Sequence, residues 1–320
     1  MEAEHDSDRA AGLVSRVGRL RLDAVAAEAL QCFERAGVRA LLLKGAATTD
    51  WLYAGRESRP YVDCDLLVCP DDVEAAARAL RSLRYTQTFD ERAMPFWWRE
   101  HAGTWVRHGD QLTIDLHHTL LGVGVDARAA WRTLSRDVDT VPVAGWRAPT
   151  LSLAGRALHV ALHAAQHGVS VNHPLADLER ALTVAEPELW IEAAGLAAEL
   201  DATDSFAAGL RLRPAGAVLA TRLDLPPPRS VDAQLRAASP PPVALGFEQL
   251  ARAAGLRARA EIVARKLVPP PEFIRHWDPR AGKGRAALLR AYLRRPFWIL
   301  RRAPRGLRAW LRAKRAVKKR

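Results

Sequence analysis

Tyr61-Val62-Asp63-Cys64-Asp65-Leu66-Leu67-Val68 places two carboxylates one residue apart inside an otherwise apolar, strand-like run. Side chains at i and i+2 of a strand point to the same face. The pattern therefore predicts Asp63 and Asp65 on one side, with Val62, Cys64, Leu66 and Val68 turned into a core. Two adjacent like charges repel each other, and a hard divalent cation that prefers carboxylate oxygens relieves the repulsion. The bland alternative is a pair of solvated acids on an exposed strand face.

Two further blocks frame this one. Upstream, Leu41-Leu42-Leu43-Lys44-Gly45-Ala46-Ala47 reads as a strand that delivers a tight turn into a helix beginning near Thr48. Glycine lets the backbone approach a phosphate, and free N–H groups at a helix N-terminus attract anions. Downstream, Gln111-Leu112-Thr113-Ile114-Asp115-Leu116-His117-His118 reads as another strand with one acid among apolar residues. His117 shares the predicted face of Asp115.

The ordered set of Leu41-Leu42-Leu43-Lys44-Gly45, then Arg59 and Asp63-x-Asp65-Leu66-Leu67-Val68, then Ile114-Asp115-Leu116-His117, resembles an uncharacterised bacterial nucleotidyltransferase family of the DNA polymerase β-like superfamily. The likeness covers residues 38–121 and continues more loosely through Leu162-His163, His167 and Asp177-Leu178. The chain departs from the wider pattern in having Gly45-Ala46 where Gly-Ser is usual, a longer interval before Asp63, and Arg84-Tyr85 where Gly-Tyr is frequent.

The resemblance implies an α+β fold, with a small mixed nucleotidyltransferase sheet, flanking helices and a mostly helical region after it. It implies an enzyme that moves an NMP group from an NTP, ATP among the candidates, to a hydroxyl acceptor. On this reading Asp63, Asp65 and Asp115 hold Mg²⁺ or Mn²⁺, with Asp115 alternatively taking a proton from the acceptor. Lys44, Gly45, Ala46 and Arg59 contact the nucleotide, and His117, His163 and His167 are candidates for substrate contact or support of the carboxylates. The competing readings for Lys44 and Arg59 are a surface lysine and an ion pair with Glu57 or an aspartate. The acceptor side admits a small antibiotic-like hydroxyl compound, a peptide, a protein or RNA. A metal-dependent glycosyltransferase also uses Asp-x-Asp, but the Gly turn before it and the Asp strand after it argue against that class. A non-catalytic nucleotide-binding or toxin–antitoxin-type protein is the other alternative, and retention of all three carboxylates argues for catalysis.

A chain of 320 residues is long enough for about two domains. The expected divisions are an N-terminal helix over 1–36, a catalytic domain over 37–148, a helical domain over 149–268 and a basic helical tail over 269–320. Apolar spacing along residues 9–36 predicts the first helix, closed by Gly37. Asp71 and Glu74 form a capping-box pattern, Tyr85–Phe89 reads as a strand, and His108-Gly109-Asp110 reads as a hairpin turn. From about Leu151 the pattern becomes helical. No run approaches the ~18 apolar residues of a membrane span, and the acidic N-terminus lacks signal-peptide features. Cys32, Cys64 and Cys69 have no Cys-x-x-Cys spacing and read as free thiols, which favours a reducing cytoplasm.

His159, His163 and His167 fall at i, i+4 and i+8 of a predicted helix. Zinc of the metalloprotease type is disfavoured, because Val160 and Ala164 stand where that pattern requires Glu. Phe96-Trp97-Trp98 is a candidate stacking surface or a loop anchor. Charge is concentrated at the end of the chain. Residues 280–320 hold 16 Lys and Arg and no acid, so the body is mildly acidic although the whole chain is at +12. Pro296 and Pro304 predict a division of the tail into short helices with apolar and basic sides. One reading of the tail is a surface for anionic lipid or RNA. The other packs its aromatic side on the acidic body and leaves the arginines in water.

Overall fold

The computed structural model describes residues 2–53, 59, 61–88, 101–240 and 242–318, with side chains from residue 17 onward. The Phe96-Trp97-Trp98 segment, Glu57 and Phe89 lie outside the described residues. The chain divides into two compact units, one built from residues 1–88, 100–160 and 177–202, the other from 89–99, 161–176 and 203–320.

The first unit is built on a seven-stranded mixed sheet. Its elements in chain order are α1 (Glu2–Arg35), β1 (Ala40–Leu42), α2 (Ala46–Tyr53), β2 (Cys64–Val68), α3 (Val73–Ser82), β3 (Tyr85–Gln87), β4 (Ala102–Arg107), β5 (Thr113–His117), α4 (Ala127–Leu134), β6 (Val138–Val143) and β7 (Trp146–Leu151). The strand order is β3-β4-β5-β2-β1-β7-β6. β2 runs antiparallel to β1 and parallel to β5, placing Asp65 directly opposite Asp115. The expected α+β architecture with flanking helices is the observed one.

Period-2 patterning explains the division of the sheet's faces. Cys64, Leu66 and Val68 join Leu42, Ile114, Leu116 and Trp105 in one core, packed by Val25, Ala29, Leu30 and Phe33 of α1 and by Ala76 and Leu80 of α3. Asp65 and Leu67 project to the other face. Val62 does not join the core. It precedes β2 and is exposed, so the buried alternation starts at Cys64. α1 ends in Gly37 at φ +68°, a left-handed position suited to glycine. Cys64 and Cys69 are buried and Cys32 is half-buried, all as free thiols.

Several local expectations are corrected. The helix after the Gly turn starts at Ala46, two residues before the expected Thr48. Asp71 is not the N-cap of α3 that the capping-box reading requires. A 3-10 turn at Pro70–Asp72 precedes α3, whose N-cap is Asp72, and the Asp72 side chain instead takes Arg39 N–H and guanidinium donors at 2.8–3.2 Å. The hairpin of β6 and β7 has no counterpart in the sequence reading. Its turn, Ala144-Gly145, has both residues at positive φ (+47° and +79°), and Ala is an uncommon choice there.

The second unit is helical. α5 (Leu153–His167) and α6 (Asn172–Val184) each begin in one unit and end in the other, and α7 (Pro187–Glu199) belongs to the first. α8 (Thr203–Leu210), α9 (Pro214–Arg222), α10 (Val231–Ala237), α11 (Ala244–Arg252), α12 (Gly255–Leu267), α13 (Pro271–Trp277) and α14 (Arg285–Lys318) complete the second. α14 is one continuous helix with Pro296 and Pro304 inside it, not the expected series of short helices. A proline removes one i→i−4 bond, and packing on α10, α11, α12 and α13 outweighs that loss. Ala291, Arg295, Gly306 and Ala313 form the buried side. Trp310 donates to Glu248 at 2.8 Å, Trp298 meets Trp277 edge-on at 5.6 Å, and Tyr292 donates to the Pro269 carbonyl at 2.8 Å. Tyr292, Trp298 and Trp310 of the tail are therefore packed, whereas Phe297 is exposed.

Candidate active site

The parallel register of β2 and β5 brings the acids together. Asp63, in the bend leading into β2, Asp65 on β2 and Asp115 on β5 each offer a carboxylate oxygen within 4.8 Å of the others. Among the described residues they are the one group of three or more His, Cys, Asp or Glu side chains that could hold a metal ion. Asp65 is buried, while Asp63 and Asp115 are half-buried.

Lys44 follows β1 and lays its ammonium on Asp65 Oδ1 at 2.9 Å, and His117 Nε2 meets the same oxygen at 2.9 Å. Burial alone would raise the Asp65 carboxyl, but Lys44 and His117 override it and hold it below the usual carboxylate range. Burial opposes charge on Lys44, yet Asp65 and Asp63 keep it above its ordinary value. Among the described residues Asp63 makes no such close contact, and Lys44 offsets its environment only in part. Burial, then the neighbouring Asp65, push its carboxyl upward. Asp115 accepts the Thr104 hydroxyl at 2.6 Å, from the residue directly opposite it on antiparallel β4. Three carboxylates thus face one ammonium, an oxygen-rich donor set with a surplus of negative charge that fits a hard divalent cation.

Gly45 turns the chain from β1 into α2 at φ +64°, where a Cβ would stand 3.3 Å from the Tyr61 ring. Ala46 is the first residue of α2, so its N–H is among the groups left without an intrahelical partner. Gly45→Ala is expected to lower stability by about 1–2 kcal/mol, read as a fall in the melting temperature. A melting curve identical to that of the wild type would show that the turn tolerates a side chain.

Arg59 was a candidate for triphosphate contact. Its guanidinium lies on Asp177, with Nε at 2.8 and 3.0 Å and Nη2 at 2.6 Å, and both side chains are buried. Tyr53 donates to the same carboxylate at 2.8 Å. The pair ties the segment before Asp63 to α6 and α2. Tyr61 donates to Asp23 of α1. The ion pair of Arg59 with an aspartate is thus the alternative observed; Asp177 enters the sequence reading only as part of the family likeness, and Tyr53, Thr104 and Asp23 have no role in it. Only Thr104 had a usable signal, since the turn at His108-Gly109-Asp110 sets it opposite Asp115.

The histidine stripe divides. His163 and His167 meet edge-to-face at 4.6 Å between ring centroids, and His173 lies 6.1 and 6.2 Å from them. This group belongs to the second unit, whereas His117 and His159 belong to the first. Burial, then the neighbouring Lys44, lower the His159 imidazole to about 3. The unfolded chain binds a proton at this position below about pH 6.5, while the folded chain does not. Stability is therefore complete above that pH and falls by up to about 1.4 kcal/mol per unit as pH drops toward 3. His159→Gln is expected to flatten this slope between about pH 6.5 and 4.5 in denaturant titrations. Parallel slopes in wild type and variant would remove His159 as the cause.

Among the described residues no helix is long and apolar enough to cross a membrane. No curated protein matches the chain. Several solved structures are similar over part of it, two of which are as follows. One is the solution structure of the antibiotic-resistance factor ANT(2'')-Ia, with 13% identity, a TM-score of 0.38 and coverage of 56% of this chain and 93% of the other. The second is an antigenic nucleotidyltransferase-like protein from Paracoccidioides brasiliensis, with 15% identity, a TM-score of 0.32 and coverage of 57% and 92%. Residues 9–215, more than half of the sequence, match the family described as uncharacterised nucleotidyltransferase. That span contains the whole seven-stranded sheet and all three converging carboxylates, and the chain belongs to this family of nucleotidyl-transferring enzymes.

Proposed function

We propose that the protein transfers an NMP group from an NTP to a hydroxyl acceptor at the Asp63–Asp65–Asp115 site, with Mg²⁺ or Mn²⁺ as the working ion. The observation that carries this reading is the convergence of the three carboxylates within 4.8 Å on adjacent strands. Bound there, the ion supplies Lewis-acid charge stabilisation to the reacting phosphoryl oxygens.

The chain's own residues do the rest by position and charge, as phosphoryl transfer requires. Asp63 and Asp65 provide oxygen ligands from one short segment. Asp115, oriented by Thr104, completes the set or accepts the proton of the attacking hydroxyl. Lys44 neutralises Asp65 in the free protein and is placed to share its charge with a triphosphate. Gly45 and the first N–H groups of α2 cradle phosphate oxygens, with Ala46 contributing backbone only. His117 holds Asp65 in one orientation. Arg59 serves the site by fixing the approach to Asp63 through Asp177.

Release of pyrophosphate from a panel of NTPs, with Mg²⁺, Mn²⁺ or chelator, tests the proposal. Metal-dependent release that rises with a hydroxyl acceptor is expected. NTP binding without pyrophosphate under every condition would favour the non-catalytic alternative, and family membership already disfavours the glycosyltransferase one.

A further inference from the structure

The buried side of α14 accounts for only half of that helix. On the opposite side Leu289, Leu293, Phe297, Leu300, Leu307 and Leu311 are 37–73% exposed. Their spacings of four, four, three, seven and four residues keep them on one stripe of an α-helix. Arg290, Arg294, Arg301, Arg305, Arg308 and Arg312 are all exposed and form a parallel row along one edge of it. The helix contains no acid. At 34 residues it is about 50 Å long. It is thus amphipathic twice over, with one apolar side satisfied by α10–α13 and a second apolar side facing solvent beside a row of arginines.

We propose that the outward face of α14 docks on an anionic membrane surface, lying in the interface plane. The stripe and its arginine edge are the two elements of such a helix, apolar side chains that enter the headgroup boundary and cations that meet lipid phosphates. Insertion across the bilayer is excluded by the helix's composition. RNA fits less well. Binding to single strands relies on aromatic faces for base stacking, and five of the six stripe residues are leucines. Trp298 and Trp310 are occupied against Trp277 and Glu248. A second copy of the chain pairing through this face would bring arginine rows close to one another. Docking here is independent of the catalytic reading.

Sedimentation of the full-length protein with vesicles tests the proposal, in the absence of nucleotide, so that its outcome is separate from that of the turnover assay. Binding is expected to phosphatidylcholine vesicles containing phosphatidylglycerol and not to phosphatidylcholine alone, weakening about tenfold or more from low to high salt. Leu289→Ser, Phe297→Ser and Leu300→Ser combined should lower affinity about a hundredfold. Melting should be unchanged, because these side chains are already exposed. Arg290→Gln, Arg301→Gln and Arg308→Gln combined should reduce both affinity and its salt dependence. Absence of vesicle binding by the wild type, or equal binding by wild type and both variants, would overturn the assignment. Salt-sensitive retention of single-stranded RNA, unaffected by the serine substitutions and without vesicle binding, would transfer the face to RNA.

Discussion

Asp65→Asn is expected to reduce nucleotidyl transfer by about a thousandfold or more if the proposed metal-ligand role holds, because loss of a ligating charge removes several kcal/mol of transition-state stabilisation. Asp63→Asn should do the same to turnover, yet the two should part company in stability. Asp65 carries both Lys44 and His117. Its amide variant leaves a mostly buried lysine without its closest counter-charge, which should destabilise the free protein by about 1–3 kcal/mol. Asp63 instead suffers burial and repulsion from Asp65, so its amide variant should melt at or above the wild-type temperature. Melting curves with and without Mg²⁺-NTP read both effects. Equal ligand-induced stabilisation in wild type and both variants would refute the metal-site assignment, and identical apo shifts would refute the division of roles.

Arg59→Met is expected to destabilise the fold by about 3–5 kcal/mol, because it strands the Asp177 carboxylate in a buried setting. Tyr53 would keep one hydrogen bond on that carboxylate, which is too little to compensate the charge. The double variant Arg59→Met with Asp177→Leu should recover much of the loss, since neither charge then needs a partner. Activity gives the second measurement. If Arg59 acts by holding the segment before Asp63, the double variant regains stability but stays impaired in kcat, with little change in NTP affinity. Loss of NTP affinity at full stability would instead assign the guanidinium to the triphosphate.

The acidic site was legible because a strand's period of two leaves few choices. Cys64-Asp65-Leu66 and Ile114-Asp115-Leu116 each fix a face from sequence alone, whereas Asp63 joins them from the bend before β2, and the turn before β5 nearly fixes Thr104. The lysine's attachment to Asp65 was not legible, since a four-carbon stem reaches many places. The Arg59–Asp177 pair spans 118 positions in sequence, and nothing local selects one aspartate over another. β6 and β7 escaped because Pro142 and Pro149 look like strand breakers and Ala144-Gly145 lacks the usual Asn-Gly signal. α14 escaped for the reverse reason. Two prolines argue locally for breaks, and only contacts with four other helices reverse that argument.

The same two strands bear on how the sheet avoids its own kind. An open sheet exposes a backbone rim at each end, and such a rim recruits strands from neighbouring molecules unless it is blunted. Among the described residues one rim is β3, only three residues long, with Thr86 exposed at its centre. The other rim is β6, where Pro142 has no N–H to offer an incoming strand. Asp139 on that strand is held by Arg156, which adds charge to the edge. Replacing Pro142 with Val would restore a donor beside Val141 and Val143 and create a short hydrophobic template. The proline that hides β6 from sequence inspection is thus also the residue that denies an incoming strand a backbone donor on this edge.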